Sequence, residues 1–522
     1  MTNPHPLPGQ DRSFWLEGPD APERPPLTED IEVHVAVVGG GIAGLSTAWE
    51  LSRAGLRVAV LEAGRIGGGV TGHTTAKVSA LHSLVYGRLR RTRDAEAARL
   101  YAMSQQDAVE RLAGIVDELG IDCDLERVSA YSYAAGPASR EAIEAEAAAT
   151  AEAGLPTEYV TETGLPFAVE GAVRLDGQAQ FHPRKYLLAL AGDLAAQGGL
   201  VFEHTRVTEL SEGTPCRLTT DRSRLVTARH VVVATHYPVF DRAMLFARLA
   251  PRRELVVAAP LAADRAPRGM YITEDEGKRS VHSAPLDDGR RLLIVTGEGF
   301  TPGTGDAREG FRRLDAWMRE RFPVGPTAYR WAAQDNDPGD TVPCVGPLHP
   351  GARHTYVATG FDGWGMTGGV LSGRLLAALV TGDTTPPWAG LYDPRRLGSA
   401  LREAPTLLGR QAAVAKHFVG DRLGVPRLES VGQVPPGKGA VVRVEGRRCA
   451  VHRDLDGTVR AVSARCTHLG CLVAFNEAET AWECPCHGSR FGVDGAVLQG
   501  PAVEPLERVE VGETGDGDEA GS

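Results

Sequence analysis

The most regular apolar pattern in the chain lies near its N-terminus. Residues 31–38 form a β-branched apolar run typical of a strand, and residues 45–54 place apolar side chains at helical spacing. A second apolar run, Arg57–Leu61, predicts another strand. The order of strand, helix and strand indicates a βαβ unit at the start of the body.

Further along, apolar runs alternate with polar and helical stretches. An Ala/Glu-rich segment without helix breakers, Glu141–Ala153, predicts a solvated helix. Strands are predicted at 255–259, 291–296, 441–444, 449–452 and 460–462. The last three are short and separated by turns, which favours a small antiparallel β fold at the C-terminal end.

Composition narrows the class of protein. With 522 residues the chain is long enough for two to four domains. The net charge of −11 is moderate and argues against nucleic acid binding. No apolar run approaches the roughly 20 residues needed to span a bilayer, and the Pro-rich start lacks a secretory pattern. We therefore expect a cytoplasmic protein without a transmembrane segment.

Two short segments near the C-terminus carry the most specific chemistry. Cys466-Thr-His468-Leu-Gly-Cys471 and Cys484-Pro-Cys486-His487-Gly-Ser489 each offer one thiolate and one imidazole to a metal. Two thiolates suit one iron of a [2Fe–2S] pair, and two imidazoles on the other iron raise its reduction potential. A structural zinc site is the alternative, since Cys and His pairs also hold zinc.

This pair of segments resembles the Rieske iron–sulfur family over roughly residues 428–511. The resemblance implies that Cys466, His468, Cys484 and His487 ligate the cluster and that Cys471 and Cys486 form a disulfide. It also implies that the Ser489 hydroxyl donates a hydrogen bond to the cluster. Where high-potential members carry a second donor, a tyrosine, this chain has Phe491. We therefore expect a potential below that of quinol-oxidising relatives.

A glycine-rich turn joins the first predicted strand to the first predicted helix. It reads Gly39-Gly40-Gly41-Ile42-Ala43-Gly44, and bare amides at such a helix N-terminus can hold a pyrophosphate. Glu62 ends the second strand, at the distance expected for a carboxylate that binds a ribose hydroxyl. The combination predicts a dinucleotide site.

The continuation Ala63-Gly-Arg65 to Gly72, with the strand–glycine–helix segment 354–369, resembles the FAD-dependent family of glycine oxidase and D-amino-acid oxidase. The resemblance covers roughly residues 31–400. It implies FAD as the cofactor, a Rossmann-like α/β flavin domain of the glutathione-reductase type and an α+β substrate domain, followed by the small all-β Rieske domain. The expected flavin contacts are Gly39, Gly41, Ile42, Ala43, Gly44, Glu62, Ala63, Arg65, Gly72, His73, Thr74, Thr75, Val207, Gly360, Gly365, Met366 and Thr367.

Three alternatives stay open around these segments. His73 falls where some amine dehydrogenases attach FAD covalently, although a hydrogen-bonded histidine beside a non-covalent flavin is the simpler interpretation. Gly363 to Gly368 also fits a glycine pattern for a second nucleotide such as NADPH, but no second βαβ unit follows it. His349 and His354 could suggest a mononuclear iron, but they are better interpreted as loop residues.

The predicted domain order follows from these matches. It consists of an N-terminal arm (1–30), the flavoprotein body (31–400), a linker helix (401–427), the Rieske domain (428–511) and a disordered tail (512–522). Within the body, the flavin domain is expected over 31–95, 185–250 and 340–385, and the substrate domain over 96–184 and 251–339.

The substrate is predicted from what replaces a family arginine. Amino-acid-oxidising relatives hold the substrate carboxylate with an arginine, and this chain has Gln334 and Asp335 in that neighbourhood, with Arg330 as a possible substitute. An acidic group favours a cationic amine. The expected reaction is amine oxidation with hydride transfer to FAD and single electrons relayed through the cluster to an external acceptor such as a ferredoxin or quinone. Two alternatives are reversed electron flow, from a reductase to the flavin for substrate reduction or hydroxylation, and an electron-transfer module without a substrate.

Overall fold

The computed structural model describes residues 6–17, 23–240, 245–275, 277–396 and 430–510. The chain divides into two compact units, the first of residues 1–299 and 309–407 and the second of residues 300–308 and 408–522. The predicted linker helix and tail lie outside the described residues, as do parts of the N-terminal arm. The domain bounds given above stay a prediction.

Helices of the described residues are mostly amphipathic and carry one buried face. They are α1 (Ile42–Arg53), α2 (Val85–Thr92), α3 (Ala95–Leu119), α4 (Arg140–Glu152), α5 (Pro183–Ala196), α6 (Leu245–Arg248), α7 (Ala307–Arg321), α8 (Gly365–Thr381) and α9 (Ala389–Tyr392). Short 3-10 helices lie at Phe14–Leu16, Val70–His73, Pro137–Ser139, Ala263–Arg265 and Val431–Gln433.

Strands dominate both units. The body contains β1 (Gln10–Asp11), β2 (Ile31–Val38), β3 (Val58–Leu61), β4 (Lys77–Val78), β5 (Glu126–Ala134), β6 (Thr157–Val160), β7 (Gly171–Gln180), β8 (Leu200–Phe202), β9 (Val207–Ser211), β10 (Cys216–Thr220), β11 (Leu225–Val233), β12 (Ala250–Leu261), β13 (Gly269–Thr273), β14 (Arg279–Pro285), β15 (Arg291–Phe300), β16 (Tyr329–Asp337), β17 (Cys344–Pro347) and β18 (Thr355–Thr359). The C-terminal unit contains β19 (Lys438–Val444), β20 (Arg447–Arg453), β21 (Val459–Ser463), β22 (Ala474–Asn476), β23 (Ala481–Glu483), β24 (Arg490–Gly492) and β25 (Val497–Gln499).

An eight-stranded sheet carries the predicted βαβ unit. Its order is β17-β18-β11-β2-β3-β8, with β10 pairing with β11 and β9. The central pairs of β2 with β3, β2 with β11, and β11 with β18 are parallel. Side chains of β2 alternate between two cores, with Val35 and Val37 on one side of the sheet and Ala36 and Val38 on the other. This is the parallel, two-sided burial expected of a Rossmann-like sheet.

Helices α1 and α8 lie against each other at close range because α8 has glycines on the contacting face. A Cβ at Gly369 would lie 2.6 Å from the Ile42 side chain, and one at Gly373 would lie 2.8 Å from the Ser46 backbone. Close backbone approach therefore brings the N-terminal ends of both helices to one region of the body.

The second sheet of the body has ten strands in the order β1-β16-β12-β15-β14-β13-β5-β7-β4, with β6 on β7. Both strands predicted at 255–259 and 291–296 belong to it, as β12 and β15. β4 departs from the expected division, because residues 77–78 fall in a predicted flavin-domain segment but pair with β7.

One helix prediction needs a correction. The Ala/Glu-rich segment is helical, as α4, but it is not solvated throughout, since Glu146 is only 1% exposed. Its two carboxylate oxygens accept the backbone N–H groups of Tyr86 and Gly87 at the start of α2. A buried acid at a helix N-terminus is satisfied there by the unpaired amides.

The C-terminal unit is a small all-β fold, as predicted. β19, β20 and β21 form an antiparallel three-stranded sheet, and β22 to β25 form a four-stranded one. Trp482 and Phe491 are fully buried between the strands of the second sheet and its loops. No helix among the described residues is long and apolar enough to cross a membrane. The fold class expected from the sequence, an α/β flavin domain with an α+β domain and an all-β Rieske domain, is confirmed.

Candidate functional site

The glycine turn before α1 leaves no room for side chains. Gly39 has φ of +111°, and a Cβ there would lie 2.5 Å from the Ala234 carbonyl oxygen. A Cβ on Gly44 would lie 1.9 Å from the Gly39 carbonyl oxygen. Gly41 is the N-cap of α1 and, as a glycine, has no side chain of its own to cap the helix. The turn is therefore shaped so that a ligand can approach the helix N-terminus closely.

Glu62 closes one side of this turn. Its carboxylate accepts the N–H groups of Gly40 and Gly64, each at 2.7 Å, and burial raises its pKa. Thr71, which the sequence analysis did not single out, accepts the Ile42 N–H at 3.1 Å through its hydroxyl. A threonine in a glycine-rich stretch gives no periodic signal, so only the three-dimensional arrangement identifies it.

The segment Gly72–Thr75 is held by two indoles. Trp15 donates from Nε1 to the Thr74 carbonyl oxygen at 2.7 Å, and Trp331 donates to that of His73 at 2.8 Å. The His73 ring binds the Gly69 carbonyl oxygen through Nδ1 at 2.8 Å. Both the arm and the ten-stranded sheet thus fix the backbone of this predicted flavin segment.

The second predicted flavin segment, at the start of α8, contacts the chain just after β4. Thr367 near the start of α8 and Ser79 just after β4 exchange two hydrogen bonds, at 3.1 and 3.2 Å. Gly360 turns the chain with φ of +75°, and Gly365 and Met366 begin α8 behind Trp364. The structure therefore brings residues 72–75 and 365–367 to the same region.

The remaining predicted contacts lie around β3 and β9. Ala63 and Arg65 follow Glu62 in the loop after β3, and the Arg65 guanidinium is 3.7 Å from the Glu23 carboxylate. The Val207 side chain is buried in the core on one face of the eight-stranded sheet. Their roles toward FAD stay predictions, as do those of the other predicted contacts.

The three candidate substrate residues do not share one surface. Asp335 accepts the Gly363 N–H at 2.5 Å and lies 3.5 Å from the His236 ring. Gln334 is buried on the other face of β16, because side chains alternate along a strand. Arg330 binds the Gly9 carbonyl oxygen of the N-terminal arm and lies 3.8 Å from the Asp11 carboxylate.

Asp335 belongs to a larger charged group that the sequence analysis missed. Its members interact electrostatically and come from β12, β16, the β13–β14 loop, the loop before α8 and β4: Arg252, Glu254, Glu274, Lys278, Asp335, Asp337, Asp362 and Lys77. Burial, with the nearby Asp337 charge, raises the pKa of Asp362 to about 7. These residues come from distant parts of the chain, so no local spacing could have grouped them.

The two cysteine–histidine loops of the C-terminal unit have the same local construction. In each, a glycine N–H returns to the carbonyl oxygen of the first cysteine, Gly470 to Cys466 at 2.9 Å and Gly488 to Cys484 at 3.0 Å. Both glycines have positive φ, +77° and +79°. The left-handed turn therefore explains why glycine stands at both positions.

These loops bring the four predicted ligands together. The Cys484 thiol donates to the Cys466 sulfur and lowers the pKa of the Cys466 thiol. The His468 and His487 rings are 4.9 Å apart, and burial lowers the pKa of His487 to about 4. A thiol that ionises readily and a neutral imidazole are the forms that bind metal, so this donor set fits a [2Fe–2S] cluster.

Cys471 and Cys486 are joined in a disulfide that links the two loops, with Cα atoms 6.7 Å apart. The sulfurs of Cys471, Cys484 and Cys486 also lie within 4.8 Å of one another, a spacing that could hold a metal ion. Two of these three are bonded to each other, and the ligand role of Cys466 and Cys484 stays a prediction. The other four cysteines, at 123, 216, 344 and 449, are buried and reduced.

Ser489 lies against the ligand pair. Its hydroxyl contributes to the lowered pKa of Cys466 through a side-chain hydrogen bond, and it also accepts the Ala502 N–H at 3.1 Å. Phe491 is fully buried two residues further on, with no hydroxyl to offer.

The fold and these two sites define a flavin-dependent oxidoreductase with an attached iron–sulfur domain. Residues 34–379 match the family model FAD dependent oxidoreductase, and residues 425–510 match the Rieske [2Fe-2S] domain. The chain therefore belongs to the FAD dependent oxidoreductase family and carries a C-terminal Rieske domain, with FAD and a [2Fe–2S] cluster as its cofactors.

Relatives support both halves. The YhfW protein of Bacillus subtilis (strain 168), whose name calls it a Rieske 2Fe-2S iron-sulfur protein, is 33% identical over 98% of this chain and 100% of its own length. Gamma-glutamylputrescine oxidoreductase of Escherichia coli (strain K12) is 27% identical over 76% of this chain and 95% of its own. The fold is similar to that of glycine oxidase from Geobacillus kaustophilus (TM-score 0.58, 21% identity), across 70% of this chain and 99% of that structure.

Proposed function

We propose that this protein oxidises an amine or amino-acid-like substrate at a C–N bond and passes the electrons one at a time through its Rieske cluster to an external acceptor. When bound, FAD supplies a two-electron acceptor, and the [2Fe–2S] centre supplies one-electron transfer. The residues of the chain itself bind the substrate, orient it and control its protonation.

The observation that carries the substrate class is the sign of the charged group beside α8. It contains five acidic and three basic residues: Glu254, Glu274, Asp335, Asp337 and Asp362 against Arg252, Lys77 and Lys278. The pKa values of Asp362 and Lys77 are both about 7, so each loses part of its charge near neutral pH and the surplus stays negative. A half-buried surplus of negative charge attracts a cation, because opposite charges interact strongly where water is partly excluded. A substrate with a cationic amine is therefore favoured over one recognised mainly by its carboxylate.

The amino-acid alternative has less support at this position. Gln334 lies on the opposite face of β16 from Asp335, and Arg330 binds the arm through the Gly9 carbonyl oxygen. Gln334 is uncharged, and the guanidinium of Arg330 is bound to the arm, so neither of them supplies a positive charge beside Asp335. The name of the gamma-glutamylputrescine relative points in the same direction, since putrescine is a diamine.

An anaerobic screen tests the proposal. Purified holoprotein is mixed with a panel of aliphatic amines, diamines and amino acids, and absorbance is followed at flavin and cluster wavelengths. We expect an amine to bleach the flavin first and then reduce the cluster. Rapid reduction by glycine or D-alanine but by no amine would overturn the substrate class. Reduction only by a reduced ferredoxin or a reductase would favour reversed electron flow.

The identity of the acceptor belongs to the same proposal. A ferredoxin-like protein or a quinone would accept single electrons from a Rieske centre, and steady-state turnover with each of them as the only acceptor separates the two. The cytoplasmic location stays a prediction.

A further inference from the structure

Lys77 is a member of the charged group that directly follows the predicted flavin segment Gly72–Thr75 in sequence. It begins β4, two residues after Thr75, and its side chain is half-buried. Its Nζ donates a hydrogen bond to the Ser280 hydroxyl and lies 5.5 Å from the centre of the Trp364 ring.

Trp364 connects Lys77 to the second predicted flavin segment. The indole immediately precedes α8 and stacks on the His82 ring at 4.0 Å. The hydrogen bonds between Ser79 and Thr367 also join the residue after β4 to the start of α8. Lys77 therefore follows residues 72–75 along the chain and contacts the residue that precedes 365–367, so it lies next to both predicted flavin segments.

The charges around Lys77 differ from those around its neighbour Lys278. Lys278 lies 3.1 Å from the Glu254 carboxylate, and its pKa is raised. Lys77 makes no ion pair with any residue that the structure describes. Burial and the charge of Lys278 lower the pKa of Lys77 to about 7, while Glu254 opposes this effect.

The remaining titratable groups facing Lys77 do not compete for its proton. His82 and His282 both have pKa values lowered to about 3, chiefly by burial. Both rings are therefore neutral at physiological pH. A large fraction of Lys77 is then an uncharged amine, which can accept a proton.

We infer that Lys77 is the base that removes a proton from the ammonium group of the substrate before oxidation. This inference rests on the proposed amine substrate and names the group that prepares it. An alkylammonium ion R–NH3+ gives its proton to Lys77 Nζ and becomes R–NH2, and Lys77 becomes an ammonium that later releases the proton to water. No electron moves in this step, but it frees the nitrogen lone pair that must support loss of hydride from the adjacent carbon.

The first experiment measures the basicity of Lys77 directly in the oxidised holoprotein without substrate. Lysines are labelled with limiting acetic anhydride across a pH series, and mass spectrometry gives the pH dependence of acetylation at each site. We expect a midpoint of about 7 at Lys77 and a high midpoint at Lys185, because the hydrogen bond to Asp124 raises the pKa of Lys185. A high midpoint at Lys77 would overturn the inference, whatever the substrate proves to be.

The second experiment follows flavin bleaching by the amine found in the screen. In the wild type, the limiting rate should rise with pH around 7. In K77M it should fall by about 100-fold at pH 7 and recover only as the free amine forms at higher pH. K77R should lose rate to a similar extent, because arginine keeps the charge but cannot act as a base. K185M serves as the control.

These variants separate the base from a binding role. If K77R kept the wild-type rate and pH profile, Lys77 would act through its positive charge, and the inference would fall. If no amine bleached the flavin even with a Lys77 labelling midpoint of about 7, the proposed substrate class would fall instead. If K77M did not fold or lost FAD, the labelling midpoint and K77R would still decide the question.

Discussion

Trp15 of the N-terminal arm donates its indole N–H to the Thr74 carbonyl oxygen at 2.7 Å, and the ring is 2% exposed. Fifty-nine residues separate the two in sequence. The contact makes the arm part of the predicted flavin site, because Thr74 lies in the segment held between the arm and β16.

Trp15→Phe should weaken FAD binding while leaving the fold intact. The substitution keeps an aromatic ring but leaves a carbonyl oxygen without its donor, which costs on the order of 1 kcal/mol, or about fivefold in the dissociation constant. Titration of the apoprotein with FAD, followed by flavin fluorescence, measures the change. Trp388→Phe removes a comparable indole donor, to Asp107 at 3.1 Å, and should leave FAD affinity unchanged. Equal effects of the two substitutions would contradict this role of the arm.

A methyl group at Gly44 should abolish FAD binding. Its Cβ would lie 1.9 Å from the Gly39 carbonyl oxygen, so the glycine turn would have to open. The matched control is Gly114→Ala in α3, where a Cβ meets nothing within 4 Å. There alanine should stabilise the helix by up to about 1 kcal/mol. Flavin content after purification and circular dichroism distinguish loss of the cofactor from loss of the fold; full flavin content in Gly44→Ala would contradict the prediction.

These two contacts show what the sequence could and could not predict. Gly44 stands in a motif whose spacing has a single geometric explanation, so its place at the start of α1 was predictable. Trp15 lies in the predicted N-terminal arm, but its partner could not be predicted, because nothing local links residue 15 to residue 74. The same holds for the interaction of Lys77 with Glu254 and Lys278, which lie on β12 and just before β14. Contacts between residues so far apart in sequence cannot be recognised from residue spacing.

Glu146 should make the stability of the body depend on pH. Burial raises its pKa from 4.5 to about 7, so the folded protein binds a proton that the unfolded chain releases. Its stabilising contribution is complete below about pH 4.5 and is lost as the pH rises through about 7. The loss is at most about 3 kcal/mol.

Glu146→Gln tests this dependence because an amide does not titrate. The Tm of the wild type minus the Tm of the variant should therefore decrease from pH 5 to pH 8, because only the wild type loses stability as Glu146 ionises. Glu144→Gln, on the exposed side of the same helix next to Arg140, should show no such change. If the Tm of the wild type minus that of Glu146→Gln stayed constant or increased toward pH 8, ionisation of Glu146 would not destabilise the folded protein and the prediction would be wrong.

Ser489→Ala should lower the reduction potential of the cluster. The hydroxyl reaches the Cys466 sulfur in the ligand pair, and a donor to the cluster stabilises the reduced, more negative state. Loss of one such bond, worth about 1 kcal/mol, corresponds to a decrease of roughly 40–60 mV for one electron. Redox titration monitored by electron paramagnetic resonance measures it. Ser463→Ala, a serine whose hydroxyl accepts the Arg465 N–H, should leave the potential unchanged.

Phe491→Tyr should change the potential in the opposite direction. Phe491 is fully buried in the strand after the second ligand loop, at the position where high-potential Rieske proteins carry a hydrogen-bonding tyrosine. An added hydroxyl would supply the second donor and raise the potential by a similar amount, provided that the core accommodates one more oxygen atom. The wild type should therefore titrate below quinol-oxidising Rieske proteins, and the variant should move toward them. A wild-type potential already in their range would mean that Phe491 has no part in setting it, and that another group compensates for the missing hydroxyl.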